Sequence, residues 1–359
     1  MKYYVLIALA TLAINLGCSN GFLMRSDEYN EETRDFLLLP DENNNLQFVK
    51  LTRDAPETRY DPKRDVKFNL YTRKNADKPQ SLKVEDLSTI TNSNYDPSKP
   101  TRLICHGWMT GPTADFNVKV REAYLKYGDY NVIVIDWFAG ASALDYSLSR
   151  KRVPGVANRI FYLIDLMVKN SLLKLNDLHM VGHSLGAHVV GIAGRHVTNN
   201  LNDKIHTVIG LDPALPLFSV NQPLERISTD SAHYVEIIHT NGGNLAFLSP
   251  LGHADFYPNG GFSQPGCILD ITGLCSHFRS YDYFIEAFKA STFVSYNCQS
   301  YQEMLNYRRC TVVNEMAKMG SENGATTNNG KASGVYLSKT NSQSPFSRVP
   351  DASATIVKF

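Results

Sequence analysis

From about residue 63 onward, short apolar runs rich in β-branched residues alternate with stretches whose apolar positions recur at helical spacing. Residues 68–71, 102–105, 131–135, 178–181, 205–209 and 234–238 read as strands. The central runs are apolar on both alternations, the pattern of a sheet covered on two faces rather than one with a wet side. Over 156–168, Ile160, Leu163, Ile164, Met167 and Val168 fall on one face of a helix. Further helices are expected after Ser184 and after His277. Strand and helix in alternation predict parallel βαβ units and an α/β fold.

The two ends of the chain do not share this pattern. Met1-Lys2-Tyr3-Tyr4, the apolar run from Val5 to Leu16, and Gly17-Cys18-Ser19 form the three parts of a secretory signal peptide over 1–19. That run is too short to span a bilayer, so an exported, extracellular protein is expected. Residues 20–62 are acidic and asparagine-rich, with short apolar patches such as Phe36-Leu37-Leu38-Leu39, and read as an N-terminal arm or pro-segment. Residues 320–329 read as a loop and 348–359 as a tail, which leaves 63–347 as the folded domain. With 43% hydrophobic and 20% charged residues the chain has an ordinary globular composition. A formal net charge of +1, and no basic block of five, exclude a nucleic-acid footprint, so any lipid contact must come from apolar surface.

Export gives the cysteines meaning, because disulfides persist in oxidising compartments. Cys18 belongs to the leader. Of the remaining five, Cys267 with Cys275 and Cys298 with Cys310 are the economical local pairs, other connectivities staying open. Cys105 is then a free thiol in an apolar run, expected to be buried and inert. No two cysteines have the spacing of a structural zinc knuckle, and no metal or cofactor is expected.

The pentapeptide Gly-x-Ser-x-Gly occurs twice, at 17–21 and at Gly182-His183-Ser184-Leu185-Gly186. The copy containing Ser19 straddles the leader and opens no helix. The copy containing Ser184 follows a strand and opens a helix, the strand, sharp turn and helix of the nucleophile elbow found in α/β-hydrolases. A serine there needs a base, and the base needs an acid to orient it. On this fold the acid follows the next strand, where Asp212-Pro213 stands; Asp203, which precedes that strand, is the runner-up. His233, His239, His253 and His277 all follow the acid, and spacing leaves them open, with His277 favoured by its place beside a candidate disulfide. For the oxyanion, the Leu185 N–H opens the helix, and Gly107 lets the Trp108 N–H approach after the strand ending at Cys105.

Assembled in order, these motifs resemble the pancreatic-lipase-like family, in particular its short insect phospholipase A1 and neutral lipase branch. The likeness runs from about residue 68 to 346. It rests on Thr101-Arg102-Leu103-Ile104-Cys105-His106-Gly107-Trp108, Asn131-Val132-Ile133-Val134-Ile135-Asp136-Trp137, Gly182-His183-Ser184-Leu185-Gly186-Ala187-His188, Gly210-Leu211-Asp212-Pro213-Ala214, Phe256-Tyr257-Pro258-Asn259-Gly260-Gly261 and Cys275-Ser276-His277-Phe278-Arg279-Ser280. The resemblance implies an α/β-hydrolase fold, a mostly parallel central sheet with helices on both faces. It also implies Ser184 as nucleophile, Asp212 as acid, His277 as base, and the Trp108 and Leu185 amides as oxyanion hole.

Departures from the family pattern carry expectations of their own. Members with a calcium site have carboxylates shortly after the catalytic aspartate, and the matching positions here are Ser228 and Ser231, poor ligands for a hard cation. No region matches the extra domain that binds colipase, so colipase is not expected as a partner; the expected partner is a lipid substrate at a membrane or micelle interface. Only seven residues separate Cys267 from Cys275, and twelve separate His239 from Gly252. Short loops over the site leave the cleft open, and the resemblance associates them with phospholipase A1 activity on the sn-1 acyl ester. A neutral triacylglycerol lipase or broad carboxylesterase is the alternative. A yolk, storage or lipid-binding protein is the other, although such relatives lose the nucleophile that this chain keeps.

Overall fold

The computed structural model describes residues 36–40, 46–51, 60–289, 293–313, 315–320 and 332–359. The expected signal peptide and most of the expected 320–329 loop lie outside these residues. The strands are β1 (Phe36–Pro40), β2 (Leu46–Lys50), β3 (Lys67–Tyr71), β4 (Gln80–Leu82), β5 (Thr101–Cys105), β6 (Asn131–Asp136), β7 (Leu178–His183) and β8 (Thr207–Leu211). They continue as β9 (Tyr234–Ile238), β10 (Ala254–Pro258), β11 (Val294–Cys298), β12 (Arg309–Thr311), β13 (Ala317–Lys318), β14 (Gly334–Ser338) and β15 (Ile356–Lys358). The long helices are α1 (Asp115–Tyr127), α2 (Tyr146–Lys169), α3 (Leu185–Leu201) and α4 (Leu274–Ala287).

Eleven strands form one sheet in the order β13-β11-β14-β10-β9-β8-β7-β5-β6-β3-β4. The run from β6 through β5, β7, β8, β9 and β10 to β14 is parallel, and antiparallel strands close both edges. The doubly apolar pattern has its cause here. Leu103, Cys105, Ile133, Ile135, Met180 and Val208 point into a core shared with α2 and α3. The intervening Ile104, Val132, Val134, Val181 and Ile209 point into a second core shared with α1 and α4. All five of the central residues Thr101–Cys105 are buried, because neither face meets water. This is the α/β-hydrolase fold with helices on both faces.

Three local expectations change. Beyond β9 the sequence pattern predicts no strand, yet β10 and β14 extend the parallel sheet. β10 escapes the pattern because Asp255 interrupts it; the carboxylate tolerates burial by accepting from the His239 ring at 2.9 Å and from the Leu251 and Gly252 N–H groups. Within the acidic arm, β1 and β2 pair as an antiparallel hairpin. Residues 348–359, expected as a tail, return to the body: β15 pairs with β12, placing Val357 opposite Cys310 in a third apolar cluster. Cys310 is itself bridged to Cys298, and Cys267 is bridged to Cys275, so both local pairs form. Cys105 is a buried free thiol, its ionisation pushed up by burial.

Candidate active site

Ser184 sits between the end of β7 and the start of α3 with φ +58° and ψ −124°, a conformation that costs an L-residue of order 1–3 kcal/mol. Both flanking glycines are required by contact rather than by flexibility. A Cβ on Gly182 would lie 2.2 Å from the Gly186 carbonyl oxygen, and one on Gly186 would lie 2.1 Å from that of Cys105. The Ser184 N–H donates to the Leu211 carbonyl at 3.0 Å, which locks the elbow to the end of β8. Leu185 is the first residue of α3, so its N–H belongs to the first-turn donors that an α-helix leaves without intrahelical acceptors.

Asp212 follows β8 at φ +47° and is fully buried. Its N–H donates to the Ile238 carbonyl at 2.8 Å. Its Oδ1 accepts the backbone N–H groups of Thr240 at 2.7 Å and Asn241 at 3.0 Å, and its Oδ2 lies 2.6 Å from His277 Nδ1. The two backbone donors hold Oδ1 and so direct Oδ2 at the ring. Sequence reasoning missed the two backbone donors, because an N–H carries no residue-type signature.

His277 lies in the first turn of α4. The Asp270 carboxylate caps that helix, accepting from the Cys275 N–H at 3.1 Å and the Ser276 N–H at 2.8 Å, and the Cys267–Cys275 bridge pins the same turn. The His277 carbonyl accepts from Ser280 Oγ at 2.8 Å and His183 Nε2 at 3.3 Å. The His183 ring, adjacent in sequence to Ser184, packs 4.4 Å from the His277 ring. Burial, and then the neighbouring His277, hold His183 well below the usual imidazole range, so it serves as a neutral wall.

The other three histidines are committed elsewhere. His239 spends Nδ1 on the Phe247 carbonyl and Nε2 on Asp255 while stacking on Tyr257 at 4.3 Å. His253 Nδ1 accepts the Val235 N–H at 3.0 Å. His233 is exposed, 3.9 Å from Asp203, the alternative acid, which is exposed as well. Of the four candidates, His277 alone shares a buried hydrogen bond with Asp212.

The opposite wall comes from the turn after β5. A Cβ on Gly107 would lie 2.7 Å from Ser184 Cβ, so glycine is what lets this backbone run against Ser184 and bring the Trp108 peptide beside it. Thr110 Oγ1 donates to the Gly107 carbonyl at 2.8 Å, and the Trp108 indole N–H donates to the Ala143 carbonyl at 2.7 Å. His106 Nδ1 bonds the same Gly107 carbonyl at 3.0 Å, Nε2 accepts the Trp137 N–H at 3.3 Å, and burial pushes its pKa down to about 4. Neutral His106 is thus a fixed brace, a role the sequence motif did not disclose. The buried Asp212–His277 pair and the Ser184 elbow are thus held together through the Ser184 N–H bond to Leu211 and the contact of the His183 and His277 rings.

The family model described as Lipase matches residues 33–346 of this chain. The chain belongs to the Lipase family. Among curated relatives, the pancreatic triacylglycerol lipase of Myocastor coypus is 34% identical over 260 residues, covering 66% of this chain and 56% of that protein. That of Homo sapiens is 32% identical over 260 residues, with coverage of 66% and 55%. The inactive pancreatic lipase-related protein 1 of Mus musculus is 33% identical over 278 residues, with coverage of 71% and 56%. This lipase-family chain therefore spans about half the length of the curated relatives it matches, and one of them is named as inactive. Among solved structures, Est1E from Butyrivibrio proteoclasticus with bound ferulic acid aligns in part, at 20% identity, 42% of this chain, 51% of that one and a TM-score of 0.28.

The calcium position that the family resemblance implies does not fit a metal in this lipase-family chain. Ser228 and Ser231 stand in the loop between β8 and β9, where the Ser228 N–H donates to Ser231 Oγ at 3.2 Å. Ser228 Oγ accepts from Arg195 Nη2 at 2.8 Å, so a guanidinium already occupies the space beside it.

Proposed function

We propose that this chain is a secreted serine carboxylic ester hydrolase of lipids. The observation that carries the proposal is the buried 2.6 Å contact between Asp212 Oδ2 and His277 Nδ1, set beside the strained Ser184 of a nucleophile elbow. In this reading Ser184 Oγ attacks the acyl carbon while His277 Nε2 takes its proton, and Asp212 holds the resulting imidazolium. The Trp108 and Leu185 amides receive the oxyanion. Collapse of the tetrahedral intermediate expels the alcohol, protonated by His277. Water then cleaves the acyl-enzyme through the same base.

A lipid surface as the site of action is supported by apolar side chains in the segments that build the site. Met109 and Phe138 beside the Trp108 turn are about half exposed, and Ile268, Leu269 and Ile271 in the Cys267–Cys275 loop are 87%, 86% and 68% exposed. Burying such a side chain is worth about 1.5–3 kcal/mol, a gain unrealised until the loop meets an apolar phase. Two disulfides support residence in an oxidising, extracellular compartment.

For the substrate, the relatives named as triacylglycerol lipases support neutral glycerides over the phospholipid preference expected from loop length. Phospholipase A1 activity is kept as a second reading because only seven residues separate Cys267 from Cys275. Fatty-acid release from triolein and from phosphatidylcholine by the purified protein, with Ser184→Ala as control, separates the two. Triolein is expected to be the better substrate; a clear excess from phosphatidylcholine reverses the preference. Equal background in both proteins, with no labelling by a fluorophosphonate, ends the enzymatic proposal in favour of lipid binding.

A further inference from the structure

One side chain ties the loop between β8 and β9 to the helix that begins at the nucleophile. Arg195 on α3 is 6% exposed. Its Nε donates to Asp230 Oδ2 at 2.7 Å and its Nη1 to the Leu224 carbonyl at 2.8 Å. Its Nη2 faces four oxygens: the Pro223 carbonyl, Ser228 Oγ and Asp230 Oδ1 at 2.8 Å, and the Arg226 carbonyl at 2.9 Å. Nη2 has two hydrogens to share among four acceptors, so charge sets this contact as much as directed hydrogen bonding does. Carbonyl, hydroxyl and carboxylate oxygens closing on one centre form the ligand set of a hard divalent cation. Here the distances are those of N–H···O contacts, and the centre is a nitrogen.

We propose that Arg195 is a tethered cation for residues 220–231, performing the organising role of a bound calcium ion with a guanidinium. Two glycines allow it. A Cβ on Gly191 would lie 2.5 Å from Ile227 Cα, and one on Gly194 would lie 2.0 Å from the Ser231 carbonyl, so the loop backbone rests directly on α3. Asp230, which burial alone would raise, is held below the usual carboxylate range by Arg195 and Ser228. The loop in turn reaches the acid. His188, one turn beyond Ser184, accepts the Ile227 N–H at 3.3 Å on Nδ1 and bonds the Ala214 carbonyl at 2.7 Å through Nε2, two residues past Asp212. Arg195 is therefore a positioning residue, acting through the loop and His188 on the relation between nucleophile helix and acid. Its effect on turnover rests on the ester-hydrolase reading; its effect on loop stability does not.

The test uses the full chain in excess calcium chloride and in excess EDTA. The unsubstituted protein is expected to melt at the same temperature in both. Arg195→Met is expected to melt roughly 6–12 °C lower, with kcat on a short soluble ester reduced more than KM is changed. The decisive arm is a triple variant, Arg195→Ala with Ser228→Asp and Ser231→Asp, which supplies carboxylates in place of the guanidinium. Calcium is expected to raise its melting temperature and restore kcat, a response that a merely space-filling arginine would not produce. The proposal is overturned by a calcium or EDTA shift in the unsubstituted protein, by an unchanged melting point in Arg195→Met, or by a folded triple variant indifferent to calcium. If the triple variant does not fold, the first two measurements still decide. Absence of ester hydrolysis in the unsubstituted protein would refute the proposed function and leave the melting comparisons intact.

Discussion

Asp212→Asn is nearly isosteric, and the surrounding donors dictate how the new amide must sit. Oδ1 accepts two backbone N–H groups, from Thr240 at 2.7 Å and Asn241 at 3.0 Å. The amide oxygen must take that position, since an NH2 group would face two donors. The NH2 is then aimed at His277 Nδ1, across the present 2.6 Å contact. Nδ1 must accept, which moves the imidazole proton to Nε2, the atom required to receive a proton from Ser184. The base is disabled and the imidazolium loses its counter-charge, a combination that costs about 10⁴-fold in kcat in Ser-His-Asp enzymes, or about 5 kcal/mol of transition-state stabilisation. Both backbone hydrogen bonds survive and the third is reversed rather than lost, so the melting temperature should move by only a few degrees. The assay is kcat on a soluble p-nitrophenyl ester beside a thermal melt, with Asp203→Asn, at an exposed carboxylate, expected to behave as the unsubstituted protein. A folded Asp212→Asn protein retaining a tenth of the original rate would refute this account of the site.

Three further outcomes follow from the geometry. Ser184→Gly should abolish hydrolysis and fluorophosphonate labelling while raising stability by about 1 kcal/mol, because glycine accepts the positive φ at little cost; a lower melting temperature would contradict the strain at the elbow. Gly186→Ala places a methyl 2.1 Å from the Cys105 carbonyl and should cost about 3 kcal/mol or prevent folding, visible in urea denaturation; a near-neutral effect would show that the elbow can yield. Acid should destabilise the fold below about pH 6.5, the unfolded histidine value. Burial pushes His106 down to about 4, His188 down to about 3 and His183 well below normal, so the unfolded chain binds protons there that the folded chain refuses. Glu236, pushed up to about 7 by burial, opposes this by taking its proton in the folded state first. A net difference of about two protons gives a slope of about 2–3 kcal/mol per pH unit near pH 5, and a melting temperature that is flat or rising from pH 7 to 5 would contradict the assignment.

Ser184 and its glycines were legible because the elbow is a local structure: a strand, a strained residue and a helix follow one another in sequence, and close backbone contacts exclude side chains from Gly182 and Gly186. The same holds for the buried parallel strands, whose doubly apolar pattern records that both faces are covered, and for Asp212, which chain order placed after β8. The choice of base was different in kind. Four histidines follow Asp212, and residue type does not distinguish them; His239 is removed from contention only by a carboxylate that reaches it from β10, and His277 is selected across 65 residues. Nor does composition disclose that Thr240 and Asn241 orient the acid through their amides, that Arg195 gathers oxygens from residues 28 to 35 positions away, or that residues 348–359 return to pair with β12. Local sterics and periodicity are written residue by residue along the chain. Which donor meets which acceptor in a buried site depends on segments distant in sequence that come to share the same dry volume, and only the folded chain decides that.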